Sequence, residues 1–216
     1  EEHPLKMKEK PIMTPQDIIE TINRMFDEAI IVTDVGQHQM FTAQFAEITQ
    51  KKRLLMSGGL GTMGYGLPGA IGAKIGNPDV PVISISGDGG MQMTIQELGT
   101  IMQEKLDVKI IILNNNFLGM VRQWQTLFYD HRYSHTILND AVDFVKLAEA
   151  MGAKAIRITK MEEVEPALKE ALACPGPIVL DCMIDQDLSV FPMVPAGASI
   201  DDIFDEEDMK NNEQSV

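Results

Sequence analysis

Short apolar runs separated by stretches of helical periodicity organise this chain. Residues 29–33, 82–86, 108–113, 154–158 and 178–183 read as strands, and three of these runs are apolar at nearly every position, as in strands covered on both faces. Between them, apolar residues recur three and four apart. Thr14 caps a first helix with Pro15 at its first position, and Ile18, Ile19, Ile22 and Met25 follow at helical spacing. Further helices are expected over about residues 39–47, 63–75, 95–104, 142–151 and 161–173. Strand and helix alternating in this way predict an α/β fold, an open, doubly wound parallel sheet with helices on both faces. Residues 13–198 read as one domain, 1–12 as a polar lead-in or interdomain linker, and 199–216 as a weakly ordered acidic tail.

Composition narrows the function classes. The 216 residues, 44% apolar, suffice for one substantial core. A formal charge of -14 repels nucleic acid and anionic membrane surfaces. No apolar run is long enough to span a bilayer and the first residues lack a secretory pattern, so a cytoplasmic setting is expected. Cys174 and Cys182 are too few for a disulfide framework or a zinc site, and both are expected to be reduced.

In a doubly wound sheet, ligands sit beyond the carboxyl ends of the strands. Residues 82–86 run into Gly87-Asp88-Gly89-Gly90, and residues 108–113 run into Asn114-Asn115-Asn116. Asp88 and Asn115 are separated by one strand-helix-strand crossover, which returns both to the same edge of the sheet. Carboxylate, amide and backbone carbonyl oxygens together with phosphate suit magnesium. The glycines let backbone amides approach the phosphate. Both segments also have the composition of ordinary turns.

Two other stretches carry signals. Ser57 to Gly66 contains a literal G-x-G-x-x-G at Gly59, Gly61 and Gly64, which imitates a dinucleotide-binding fingerprint. Only a short strand, residues 53–56, precedes it, and Gly64, Gly66 and Gly69 inside a helix would each cost ~1 kcal/mol relative to alanine. Such glycine density suggests the close approach of a flat ligand or a neighbouring chain, with tight helix packing as the plain alternative. Val35-Gly36-Gln37-His38-Gln39 opens a helix after the first strand and offers further amides to phosphate. His38 alone reads more readily as a surface or capping histidine than as a base.

Gly87-Asp88-Gly89 with Asn115 resembles the signature of thiamine-diphosphate enzymes. The likeness narrows with Val35 to Met40, Ser57 to Pro68, Leu118 to Gln125, and Phe128-Tyr129, which together resemble the acetolactate synthase large catalytic subunit, in its C-terminal cofactor domain. It spans nearly the whole chain and is weakest over residues 141–182 and in the acidic tail. The resemblance implies magnesium ligands at Asp88, Asn115 and the backbone carbonyl of Phe117. It implies diphosphate contacts from Gln37, His38, Gly89, Gly90 and the backbone of Leu118, Gly119 and Met120, with Val35, Gly36 and Gly87 in the same cradle. Met63 would wedge between the cofactor rings and hold them bent, and Gly61 would hold the aminopyrimidine by its backbone. Met120, Val121 and Trp124 would lie near the reacting carbon and the second substrate, although their spacing on a short helix otherwise reads as packing.

The implied reaction removes carbon dioxide from pyruvate and joins the remaining two-carbon unit to pyruvate or 2-oxobutyrate. It yields 2-acetolactate or 2-aceto-2-hydroxybutyrate for branched-chain amino acid biosynthesis. The same resemblance implies FAD bound mostly outside this chain, a homodimer, and a regulatory small subunit. It also places the glutamate that activates the cofactor in a pyrimidine-binding domain and other contacts in a central domain, neither of which this sequence contains. The isolated chain is therefore expected not to turn over pyruvate.

Overall fold

The computed structural model describes residues 12–138 and 142–208. Six strands form one sheet: β1 Ala29–Thr33, β2 Lys52–Met56, β3 Val82–Gly87, β4 Val108–Asn114, β5 Lys154–Ile158 and β6 Ile178–Met183. All neighbours are parallel, in the order β2-β1-β3-β4-β6-β5. Eight helices accompany them: α1 Pro15–Met25, α2 Gln37–Phe45, α3 Gly66–Gly76, α4 Asp88–Met93, α5 Glu97–Gln103, α6 Gly119–Phe128, α7 Phe144–Ala150 and α8 Val164–Ala173.

Alternate residues of the central strands feed two cores, which is why those strands are apolar at most positions. Ile31, Ile83, Ile85, Ile111 and Leu113 pack with Ile18, Ile22 and Leu168 on one face of the sheet. Ile30, Val32, Val82, Ile110 and Ile112 pack with Leu67, Leu98 and Phe144 on the other. With both faces covered, the sheet is the expected doubly wound α/β layer structure. Cys174 and Cys182 are buried free thiols, and burial pushes the Cys182 thiol well up from its ordinary value. Among the described residues, no helix is long and apolar enough to cross a membrane.

Helix α1 starts where Thr14 and Asp17 cap each other reciprocally, with Pro15 at the first helical position. Other boundaries move from expectation. The run at 53–56 is a full strand, β2, paired along its length with β1. The helix expected from residue 63 begins at Gly66, because Gly64 has φ 87° and turns the chain just before it. Gly64 is therefore a turn residue and bears no helix-interior penalty. The helix expected at 95–104 is α5, and an unexpected short helix, α4, precedes it and ends at Thr94. Part of the segment expected as an acidic tail makes contacts with the residues before it. Met193 and Phe204 exchange backbone hydrogen bonds of 2.9 and 2.8 Å, and the Phe204 ring packs edge-on against Phe191. The expected lead-in falls almost wholly on residues 1–11, outside the described residues.

One buried polar line crosses three strands. Asp181 in β6 is 0% exposed and accepts hydrogen bonds from Arg157 of β5 at 3.1 and 3.2 Å and from Asn114 Nδ2 of β4 at 2.9 Å. Asn114 Oδ1 in turn accepts the Asn116 amide at 3.2 Å, bracing the turn that follows β4.

Candidate functional site

The chain leaves β1 sideways to β2 and leaves β3 in the opposite direction to β4, so the crevice beyond β1 and β3 lies at a topological switch point. The glycine motif at Gly59 to Gly64 instead follows the edge strand β2, which weighs against a dinucleotide fingerprint. Three segments surround the crevice: Asp34 to Gln37 after β1, Gly87 to Gly90 at the end of β3, and Asn115 to Met120 after β4. They line a cleft with Val35, Gly36, Gln37, His38, Met63, Gly87, Asp88, Gly89, Gly90, Asn115, Phe117, Leu118, Gly119, Met120 and Val121. Of the residues singled out from sequence, only Gly61 and Trp124 are absent from it. Phe41, Leu113 and Ile184 complete the lining and were not foreseen, since as apolar residues in or beside strands and helices they read as core. The enclosed space is about 80 Å³, far below the ~300 Å³ at which whole small-molecule sites begin. A space of this size could take only part of a small-molecule ligand.

Asp88 is 3% exposed, and its Oδ2 is buried with no hydrogen-bond donor. Burial pushes its carboxyl up to about 7. The backbone amides of Gly89 and Asn116 oppose that shift, and the charge of Asp181 adds to it. A buried carboxylate oxygen without a donor is costly and suits a positive partner. The ends of β3 and β4 lie side by side, with Gly87 opposite Leu113. Asn115 Oδ1 accepts the Phe117 amide at 3.1 Å, and Asn116 takes a left-handed φ of 61°, so the turn after β4 is closely specified. Among the described residues no three His, Cys, Asp or Glu side chains cluster. A cation here would rely on Asp88 together with amide, carbonyl and ligand oxygens, a hard set of the kind magnesium prefers.

His38 is buried, and burial lowers its imidazole to about 4 despite the charge and backbone hydrogen bond of Asp34. It is neutral at neutral pH, with a buried Nε2 that has no partner. A Cβ at Gly36 or Gly87 would lie 2.8 or 2.7 Å from this ring, so both positions need glycine. Gln37 is turned inward. Its Nε2 donates to Gln123 Oε1 at 2.8 Å and to the Leu188 carbonyl at 3.0 Å, while its Oε1 accepts from Asn115 Nδ2 at 3.4 Å and so ties this segment to the turn after β4. Gln123 also bonds Val190 through both its amide and its carbonyl, at 2.9 Å each.

Trp124 faces a separate open groove of about 680 Å³, with Gln125, Tyr129 and Arg132. Met120 and Val121 line both spaces and so join them. Arg122 on the same helix is stacked between Phe117 and Tyr133, 4.5 and 4.3 Å from the ring centroids, and paired with Asp187 at 2.7 Å. Gly61 is exposed, with φ 61°, and a Cβ there would approach Val35 at 3.9 Å. Asp34 is the buried polar residue that sequence reading missed.

Residues 34–182 match the model of the thiamine pyrophosphate enzyme, C-terminal TPP binding domain. The chain belongs to this family. As a TPP-binding domain it is similar to several named proteins. The acetolactate synthase large subunit of Porphyra purpurea is 48% identical over 201 residues, covering 92% of this chain and 34% of the relative. The acetolactate synthase large subunit of Corynebacterium glutamicum is 50% identical over 198 residues, 89% of this chain and 32% of the relative. The mitochondrial acetolactate synthase catalytic subunit of Saccharomyces cerevisiae is 47% identical over 193 residues, 87% of this chain and 28% of the relative. The chain thus spans about a third of the length of the curated relatives it matches.

The residues present fit the diphosphate end of thiamine diphosphate. The unpartnered oxygen of Asp88 suits a bridging cation, and the glycines of all three segments expose backbone without side-chain bulk. Bound magnesium would need no acidic cluster here, since phosphate oxygens could supply further hard ligands beside Asp88.

Proposed function

We propose that this domain carries the thiamine-diphosphate and magnesium half of an acetolactate synthase active site. The observation that carries the reading is the buried, donor-less Asp88 Oδ2, at the point where the ends of β1, β3 and β4 converge. Asp88, Asn115 and the Phe117 carbonyl would hold magnesium between themselves and the diphosphate. Gly36, Gln37, Gly89, Gly90, Leu118 and Gly119 would present backbone groups to the phosphates, within reach of the neutral His38 ring.

Bound thiamine diphosphate would supply the electron sink that lets a 2-oxoacid lose carbon dioxide. This chain's task is then orientation. Met63 would hold the rings bent, Gly61 would meet the pyrimidine through its backbone, and Met120 and Val121 would exclude water from the reacting carbon. Trp124, in the groove that Met120 and Val121 share with the cleft, would select between pyruvate and 2-oxobutyrate as second substrate. The products would be 2-acetolactate and 2-aceto-2-hydroxybutyrate, as in branched-chain amino acid biosynthesis. FAD, the activating glutamate, a homodimeric partner and a regulatory small subunit would belong to the whole protein in the cytoplasm, with FAD mostly outside this chain. Without those parts, the chain alone would form no acetolactate.

Calorimetric titration with thiamine diphosphate, with and without magnesium, tests the core of this reading. Magnesium-dependent heat that disappears in Asp88→Ala is expected. Binding that ignores both magnesium and the substitution would refute it.

A further inference from the structure

Asp34, the first residue after β1, is 1% exposed and does not line the cleft, yet it touches the chain on either side of Tyr65. Its Oδ1 accepts the amides of Val35 at 2.8 Å and Gly64 at 3.0 Å, while Oδ2 accepts the amide of Gly66 at 2.8 Å. Hydrogen bonds to a carboxylate are among the stronger kind. Thr94 Oγ1 holds the same turn from the other side by donating to the Gly64 carbonyl at 3.0 Å. The carboxylate has no room to swing, because a Cβ at Gly90 would lie 2.1 Å from Oδ1. Asp34 therefore fixes one geometry for the turn and packs tightly against the Gly89-Gly90 segment.

Met63 immediately precedes this turn, and its Cε lies 3.7 Å from where a Cβ of Gly89 would be. A methionine side chain has three soft torsions and conforms to its surroundings. It can act as a wedge of defined height only if its backbone is held. On the other side of Met63 the chain is held only to Ser57 in an exposed loop, by the Thr62 amide to Ser57 Oγ at 3.1 Å and the Gly61 amide to the Ser57 carbonyl at 3.2 Å. The burden of placing Met63 falls on Asp34.

We propose that Asp34 is a positioning residue whose buried carboxylate locks the Gly64 to Gly66 turn and thereby sets Met63 against the rings of thiamine diphosphate. This role rests on the cofactor reading above. It predicts a division between two ligands. Inorganic diphosphate meets only the phosphate end of the cleft, whereas thiamine diphosphate also meets Met63. Loss of the clamp affects the second ligand and spares the first. A merely structural role would weaken both alike. Measurement at pH 7.5 keeps His38 neutral with or without Asp34.

The experiment is calorimetry with magnesium on the parent chain, Asp34→Asn, Met63→Ala and the double variant, titrating each ligand in turn. Asp34→Asn and Met63→Ala should each weaken thiamine diphosphate about tenfold while leaving inorganic diphosphate within about twofold. The double variant should be no weaker than Met63→Ala alone, since both act through one contact. Asp34→Asn weakening both ligands equally, or neither, overturns the inference. A parent chain that binds the two ligands equally well also overturns it while leaving the cofactor reading intact, whereas a parent chain that binds neither removes both. One measurement needs no substitution: the Gly64 and Gly66 amides should exchange at least about a hundredfold slower than free peptide rates. Unprotected amides there would overturn the clamp.

Discussion

Replacing Asp88 by Asn should make the metal-free chain more stable while abolishing its response to magnesium. Burial raises the Asp88 carboxyl from its ordinary 3.8 to about 7. The folded chain therefore keeps this proton after the unfolded chain has released it. Stability falls as pH rises from about 4 to about 7 and is lost no further above that. Three units at ~1.4 kcal/mol each set the penalty at about 4 kcal/mol. Asparagine bears no charge, but its amide group faces the Gly89 and Asn116 amides that the carboxylate now accepts, at a cost of about 1–2 kcal/mol. A net gain of about 2 kcal/mol at pH 8 follows, turning into a small loss near pH 4. Urea unfolding followed by circular dichroism, in chelator, should give parent and variant curves that cross as pH falls. Magnesium with thiamine diphosphate should then stabilise the parent only, by about 2.7 kcal/mol at a hundredfold excess over the dissociation constant. Parallel pH profiles for the two chains would refute the electrostatic account of this residue.

His38 makes a pH dependence of opposite sign. Its imidazole falls from 6.5 to about 4, so its contribution is complete above about pH 6.5 and is lost as pH drops towards 4. His38→Gln should flatten the acid limb by about 3 kcal/mol in the same unfolding series. Gln123→Ala removes the shared anchor of Gln37 and Val190 and should cost about 3 kcal/mol, read as a lower urea midpoint with an unchanged slope. Trp124→Leu alters the neighbouring groove and should leave thiamine diphosphate affinity within about twofold by calorimetry, because the proposed diphosphate contacts are in the other cleft; a tenfold loss would put Trp124 in the cofactor contact itself.

The sheet was legible because strands buried on both faces are apolar at most positions, and Ile30 to Val32, Val82, Ile83 and Ile110 to Leu113 fill both cores. The order of glycine, aspartate and asparagine after successive strands was legible for a related reason. A parallel crossover returns the chain to the same edge, so spacing alone brought Asp88 and Asn115 together. Helix α4 was hidden because it has six residues, two of them glycine, too few to show a period. Gly64 was misplaced into a helix because nothing local to it reveals φ 87°; its partner, Asp34, is 30 positions away. Asp34 itself carried no signal in the sequence, since the amides it accepts belong to a loop of no periodicity. Trp124, expected near the second substrate, lies one further turn of α6 beyond Met120 and lines the adjoining groove.

The polar line Arg157-Asp181-Asn114 bears on how the sheet chooses its alignment. In a parallel sheet, sliding one strand by a single residue turns its side chains to the opposite face, and an entirely apolar β6 would find the slipped arrangement nearly as comfortable. Asp181 breaks that degeneracy. In any slipped pairing this 0% exposed carboxylate loses both donors, at roughly 3–5 kcal/mol. The ion pair adds little to the stability of the correct fold, as buried pairs commonly do, yet it discriminates against near-misses. It acts as an address along the sheet. Because β4 is one of the strands so addressed, the same line decides where the turn carrying Asn115 emerges.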